Sequence, residues 1–421
     1  MRAFLATIAL TAMLAGCSAE IGLPAYTDKG VRYPIALAAE PSGRWLYAIG
    51  ANFDRQYRSG ILRVLDTNTN TFNDNLRLEV PNYAAGLWHE PVAKPTVDGP
   101  SSHLYVTTRD DDAIAVYDIR DHGVAPPSLD CGQPSGQIGP CAKGHLIGGD
   151  KAVDLDIGDD PVALSIHPSP DRSSSLLHVA AASDGQVSLL ELASNANDGA
   201  HKEAQLLDST ELGAGLSAVL TSPVTGRTYV ADTRLHKLHN HTLVAMQDSK
   251  TGVRTGYKIE QHAAVALPQA TGTEFSRDMT LSLDGSRLYI AYRSPNAMLI
   301  VDIAPTAKGD PANKLVGVVG IGGRPASVVV APTGPGGQER AYIACFGTDD
   351  IWVVDPALRT VVDTIRLPHS PYALVPVQVP DADGGASRWR LYAGLFSKHE
   401  VAVLDIDPDS PNPHKQLAMV R

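Results

Sequence analysis

The sequence predicts an all-β fold assembled from seven copies of one four-stranded antiparallel unit, and three observations predict it. An apolar run carrying a tyrosine recurs along the chain as "RWLYAIG", "SHLYVTT", "LLHVAAA", "GRTYVAD", "SRLYIAY", "ERAYIAC" and "WRLYAGL". Each copy is followed by a second apolar run that closes on a polar residue: "LRVLD", "IAVYD", "VSLLE", "LVAMQ", "MLIVD", "IWVVD" and "VAVLD". The interval between the two is nearly constant. Tyr105 to Asp118, His178 to Glu191, Tyr289 to Asp302, Tyr342 to Asp355 and Tyr392 to Asp405 are each 13 residues apart, against 19 for Tyr47 to Asp66 and 18 for Tyr229 to Gln247. The 37 glycines and 30 prolines suit many short strands joined by turns.

Each copy completes to four strands, A to D. An apolar run and a turn precede the tyrosine run, as in "RDMTLSLDGSRLYIAY", and a further run follows the closing acid, as in "TVVDTIRLP". One such sheet cannot bury both faces, whereas radial stacking of seven can, which predicts a seven-bladed β-propeller with four antiparallel strands per blade. Solenoid coils of about 20–30 residues are shorter than this repeat. The blades are expected at 32–82, 83–158, 159–213, 214–269, 270–321, 322–368 and 369–421, making 32–421 one propeller domain. Residues 18–31 are then a tether or an added strand across the seam.

"LSLDGSRLYIAYRSPNAMLIVDIAP", "GGRPASVVV…AYIACFGTDDIWVVD" and "HSPYALVPV…LYAGLFSKHEVAVLD" resemble the 40-residue YVTN-type propeller repeat. The resemblance covers roughly residues 30 to 421, departs at the His178 and Gln247 copies, and implies architecture rather than activity.

The first residues, "MRAFLATIALTAMLAGCSAE", combine Arg2, an apolar run from Ala3 to Leu14 and small residues before Cys17. That is a secretory leader, residues 1–16, too short for a membrane span. "LAGC" resembles a bacterial lipobox, which implies cleavage before Cys17 and its acylation. Ser18 in place of Asp implies the outer membrane, facing periplasm or cell surface. The expectation is a lipid-anchored propeller, monomeric, joined to the membrane through lipid alone. A formal charge of −11 argues against nucleic acid as a partner. Cys131 and Cys141 bracket "CGQPSGQIGPC" and are expected to form a disulfide in an exported protein, while Cys345 within "AYIACFG" reads as a buried thiol.

Strand alternation places the D–A and B–C connections on one rim and the A–B and C–D connections on the other. The interval count locates the long insertions in B–C hairpins: "ANFDRQYRSG" in blade 1 and "DTRLHKLHNH" in blade 4. Arg55 and Arg58 would then face Arg234, His236, Lys237, His239 and His241 across the mouth of the ring. The D–A connections add Arg32, Tyr33, His89, Glu90, Asp159, Asp160, Arg277, Asp278, Arg324 and His369. Mixed charge around a channel suits a small anionic ligand or an envelope protein partner. The 121–150 insertion is expected on the opposite rim.

His236, His239 and His241 are the weak metal candidate, because imidazole suits zinc or copper, yet HxxHxH matches no established spacing. The propeller resemblance includes a lactonase branch. It implies that His89, Glu90, Arg324 and His369 could converge as general base, carboxylate and substrate clamp. No GxSxG, phosphate loop or haem-attachment motif occurs, and no cofactor is expected. Asp110 to Asp112 read as turn formers. The favoured reading is a binding or scaffold module at the cell envelope, with a hydrolase or lactonase-like enzyme as the alternative.

Overall fold

A computed structural model describes residues 23–92, 99–122, 125–133, 139–148, 155–192, 204–269, 272, 274–380 and 385–421. The leader, the lipobox and Cys17 lie outside them. No helix of the described residues is long and apolar enough to cross a membrane.

Seven antiparallel sheets follow one another in chain order, each ordered A-B-C-D. Blade 1 comprises β1 (Pro34–Ala39), β2 (Trp45–Gly50), β3 (Gly60–Asp66) and β4 (Thr71–Val80). Blade 2 holds β5 (Ala84–Pro91), β6 (Ser102–Thr108), β7 (Ala113–His122), β8 (Ala125–Asp130) and β9 (Leu146–Gly148). Blade 3 holds β10 (Pro161–Pro168), β11 (Ser175–Ala181), β12 (Gln186–Leu192) and β13 (Gln205–Glu211). Blade 4 holds β14 (Leu216–Thr221), β15 (Thr228–Asp232), β16 (Lys237–Gln247) and β17 (Arg254–Ala266). Blade 5 holds β18 (Ser276–Leu281), β19 (Arg287–Arg293), β20 (Asn296–Asp302) and β21 (Lys314–Gly320). Blade 6 holds β22 (Pro325–Ala331), β23 (Arg340–Cys345), β24 (Asp350–Asp355) and β25 (Thr360–Arg366). Blade 7 holds β26 (Pro371–Val379), β27 (Arg388–Leu395), β28 (Glu400–Asp405) and β29 (Gln416–Val420). The chain is an all-β, seven-bladed propeller.

In three blades the recurrent tyrosine of strand B bonds to a neighbouring blade, whereas Tyr342 bonds Thr333 of its own blade (2.6 Å). Tyr289 Oη donates to Glu339 of blade 6 (2.6 Å), Tyr229 to Asn313 of blade 5 (2.8 Å) and Tyr392 to Asn70 of blade 1 (3.0 Å). In blade 3 the column holds His178, whose ring lies 5.1 Å from that of His241 in blade 4. Apolar ring faces and one polar tip let Tyr229, Tyr289 and Tyr392 fill the blade interface and tie off a hydrogen bond.

Among the described residues no strand is exchanged between the first and last blades, and side chains tie the two together. Besides Tyr392, Arg390 donates to the carbonyl of Thr67 (2.9 Å). The segment after Leu23 packs onto this seam, with Tyr26 and Val31 buried against Tyr392, Val401, Val403 and Val420. Its hydrogen bonds are local or to blades 1 and 7, with Tyr26 Oη receiving the Arg32 amide (2.9 Å) and the Tyr33 amide donating to His399 (3.0 Å). Residues 23–31 cover the seam as irregular backbone rather than hanging free or adding a strand.

The 121–150 insertion departs from expectation. Strands β8 and β9 both pair with β7, β8 at Asp118–His122 and β9 at Ala113–Ala115. The outer strand of blade 2 is therefore interrupted along its length, and the Cys131–Cys141 disulfide (Cα–Cα 5.0 Å) sits in the interruption rather than on the opposite rim. Both cysteines are buried in the blade 1–2 core, so the staple draws the excursion back onto the sheet. Cys345 is a buried free thiol, as expected.

Candidate functional site

Every strand A carries a register shift immediately after its first residue, in all seven blades. A bulge inserts one unpaired residue and re-aims its side chain. Residues in the left-handed region precede five of these strands: Tyr33 (φ 48°), Tyr83 (53°), Asp160 (65°), Gly215 (111°) and Arg324 (52°). The bulged residues, among them Ile35, Val162, Ser217, Arg277 and Tyr372, line a central cavity of about 400 Å³. At the bulge position only two of the seven blades carry a large polar side chain, Arg277 of blade 5 and Tyr372 of blade 7; Arg109 reaches the cavity from the B–C turn of blade 2. The first two meet across the channel, Arg277 Nη2 donating to Tyr372 Oη, with the guanidinium 5.8 Å from the ring centre.

The mouth is asymmetric. On the side of blades 6, 7, 1 and 2, half-buried aromatic rings form an arc. Tyr83 touches Phe53 (5.3 Å), Phe53 touches Phe396 (5.5 Å), and Phe396 touches Tyr372 (5.4 Å) and Phe346 (5.7 Å). Tyr33 closes behind Phe396 at 5.0 Å. Phe53 and Tyr372 face the cavity itself.

Charged side chains are interspersed around the mouth, and most of these ions are paired. Arg109 clasps Asp160 through two bonds, one of 2.8 Å. Arg55 grips Asp110 at 2.9 and 3.0 Å, with its guanidinium 5.0 Å from the Tyr83 ring centre. Arg293 pairs with Glu274. Arg277 makes no ion pair with any carboxylate among the described residues. The neighbouring Asp278 spends its oxygens on the amides of Met279 (2.8 Å) and Val328 (3.0 Å), tying blade 5 to blade 6. Burial pushes the Asp278 carboxyl above its ordinary range. Asp159 is exposed, and repulsion by Asp112 and Asp184 raises it too.

Several expected site residues lie elsewhere. His89 and Glu90 sit five and six residues along β5 from Ala84, which at ~3.3 Å per residue places them roughly 16–20 Å from the mouth, at the opposite rim. There His89 Nε2 lies 2.9 Å from Ser102 Oγ, and Ser175 donates to Glu90 (2.7 Å). Burial holds the His89 imidazole down at about 4 and raises Glu90. Arg324 and His369 stay on the D–A rim. Arg324 is exposed, its guanidinium 5.8 Å from the Phe346 ring centre. The four residues do not converge.

The histidine stretch is likewise not a hairpin tip. Tyr229 pairs with Asn240, an offset of 11 residues, as Tyr289 pairs with Ile300 and Tyr342 with Val353. The B–C turn of blade 4 is therefore ordinary, holding Arg234 and His236. Lys237 begins strand C, and His239 and His241 are buried within it. The extra residues lengthen β16 and β17 toward the opposite rim. His236 packs on Phe275 (3.8 Å), His239 faces Asp232 (3.6 Å) and His241 faces His178. They point to different neighbours and form no ligand set. Among the described residues no group of three or more His, Cys, Asp or Glu side chains could hold a metal ion. In blade 1 the offset of Tyr47 from Val64 is 17, so that enlargement is a true B–C loop. It holds Phe53, Arg55 and Arg58, the last fixing buried Glu79 at 2.7 Å.

Sequence reasoning missed Phe53, Arg109, Phe346, Tyr372 and Phe396. A signal existed for three of them. Arg109, Phe346 and Phe396 each lie four residues after the recurrent tyrosine, as does Arg293, so that column of the repeat reaches the mouth.

No protein-family model and no curated protein matches the chain. Among solved structures it is similar to hydrazine synthase of Kuenenia stuttgartiensis (15% identity, TM-score 0.53, 93% of this chain and 99% of that one). It is also similar to the periplasmic gluconolactonase of Pseudomonas aeruginosa (17%, 0.52, 85% and 88%). A third is the Cps50 (Swd1) β-propeller domain of Myceliophthora thermophila (10%, 0.52, 89% and 97%). At such identities the likeness concerns the fold alone.

Proposed function

We propose that this chain is a lipid-anchored propeller of the bacterial cell envelope that binds a small anionic ligand at the mouth carrying its D–A and B–C loops. One observation carries the reading: Arg277, a guanidinium without a carboxylate partner among the described residues, stands at the opening of a channel walled by Phe53 and Tyr372. A half-buried cation is held in place by whatever anion completes it, and the aromatic wall supplies contact area at low entropic cost. Calorimetric titration of a panel of organic acids tests this, with Arg277→Gln as control. Binding that survives the substitution unchanged sinks the reading. The anchor has its own test: labelled palmitate should enter the wild-type protein in cells and fail to enter Cys17→Ala.

The alternative is a lactonase-like hydrolase. The Arg277–Tyr372 pair favours it, since it presents a cation and a phenol to one point in the channel, and one structural relative is a gluconolactonase. A pH-stat assay on glucono-δ-lactone decides: turnover abolished in Tyr372→Phe supports it, and no proton release above the uncatalysed rate removes it.

A further inference from the structure

We infer that the mouth selects a monocarboxylate with a flat, ring-bearing body, seating the carboxylate on Arg277 and the ring against Phe53 and Tyr372. The inference rests on the mouth being a ligand site and adds the ligand's class.

The single charge follows from ion accounting inside the cavity. Arg109 and Arg277 are the cations that line it. The charge of Arg109 is answered by a two-bond clasp from Asp160, itself held by the amide-to-Asp112 bond (2.7 Å) that fixes the loop. Asp278 is turned into the blade 5–6 contact by two backbone amides. That leaves one guanidinium with spare donors, satisfied so far by a phenol. A planar fork of donors matches a carboxylate through two parallel bonds, and an arginine serves this geometry better than a lysine would. A phosphate monoester carries close to two charges and would leave one unanswered. Arg324, which also makes no ion pair among the described residues, belongs to the rim and does not line the cavity.

The flat body follows from the wall. Six half-buried rings cover one side of the mouth, while the facing blades line the cavity with small and aliphatic residues, Val162 and Ser217 among them, around Arg277. Tyr372 is held edge-on to Phe346 at 87°, and Phe346 edge-on to Phe396 at 76°, so each ring fixes the next and the wall stays in place. Fixed aromatic walls favour stacking or edge contact with another ring. A hydroxyl-rich sugar acid would leave its hydroxyls facing that wall without acceptors. The volume, about 400 Å³, suits a ligand of this size.

The test is isothermal calorimetry of the full chain with 2-naphthoate, 2-naphthamide, acetate, gluconate and gluconate 6-phosphate. The expected order places 2-naphthoate first, with 2-naphthamide about 10- to 100-fold weaker. Arg277→Gln should equalise the acid and the amide. Arg277→Lys should recover part of the difference, because charge returns without the fork. Phe53→Leu with Phe396→Leu should weaken 2-naphthoate severalfold and leave acetate unchanged. Tyr372→Phe removes the hydroxyl competing for Arg277 and should leave carboxylate binding intact or tighter, which guards against a variant that misfolds. Equal binding of naphthoate and naphthamide overturns the carboxylate assignment. Gluconate or its 6-phosphate binding tightest, in an Arg277-dependent way, overturns the ligand class while the mouth reading stands. Binding indifferent to every mouth substitution, or absent for all five probes, overturns both.

Discussion

Blades 1 and 4 carry almost the same excess over the common repeat interval, 19 and 18 residues against 13. The two excesses end on opposite rims. In blade 1 the tyrosine-to-partner offset grows to 17, so the added residues form a loop beside the channel mouth. In blade 4 the offset stays at 11, and the added residues run on as a long β16–β17 hairpin. That hairpin clasps blade 3. Tyr257 and Ile259 pack with Leu176 and Leu189, and Arg254 reaches Asp171 (2.8 Å) and Glu191 (3.1 Å). An interval counts residues between two landmarks, whereas register decides on which side of the pairing they fall. Blade 1 has gained a mouth loop and blade 4 a brace.

The contrast predicts separable losses. The largest belongs to the brace: Tyr257→Ala, removing a buried aromatic, should cost about 3–4 kcal/mol in denaturant unfolding and leave ligand titrations unchanged. A loss of binding with stability intact would reverse the assignment of the two regions.

Next comes pH. Burial, reinforced by its histidine neighbours, holds His241 at about 4, and His178 well below its ordinary value. Above pH ~6.5 these groups are neutral folded or unfolded and contribute no pH dependence. As pH falls, the unfolded chain takes up protons first, so stability declines from pH ~6.5 down through ~4. His241 alone should account for about 3 kcal/mol across that window. Unfolding free energies for His241→Phe that keep the same acid slope would show that the blade 3–4 histidines are not responsible.

Arg58→Ala leaves Glu79 buried without its main partner. Because Arg58 is itself nearly half exposed, a cost of about 2 kcal/mol is expected from the shift in melting midpoint. Smallest is Arg55→Ala. Its pair with Asp110 is solvent-exposed, so the melting midpoint should stay essentially where it is in the wild-type chain. A clear gain or loss of 2-naphthoate affinity with that variant would show that the blade 1 loop takes part in binding.

Much of the architecture was legible in the chain. The tyrosine column, the constant interval and the turn residues are local patterns, and each reports strand, turn and strand without knowledge of neighbours. The Cys131–Cys141 pairing was legible for the same reason, since ten residues of Gly/Pro-rich chain separate the partners. The site was far less so. Arg277 appeared as one polar residue among many on the D–A connections, and its value comes from what its neighbours have already spent. His89 and Glu90 lie far from the mouth because β5 begins at Ala84, earlier than the turn residues of the chain mark it. Phe53 and Tyr372 carried no distinguishing pattern in the chain, because the arc they form joins blades distant in sequence.

The sequence by itself determined the class of fold and the number of blades, because a repeated pattern of period two and fixed spacing admits one economical burial. Tertiary structure alone decided which side chains share the channel. A bulge after the first residue of each inner strand turns one side chain per blade toward the axis. Whether that residue is Val162 or Arg277 becomes functional only when seven of them meet.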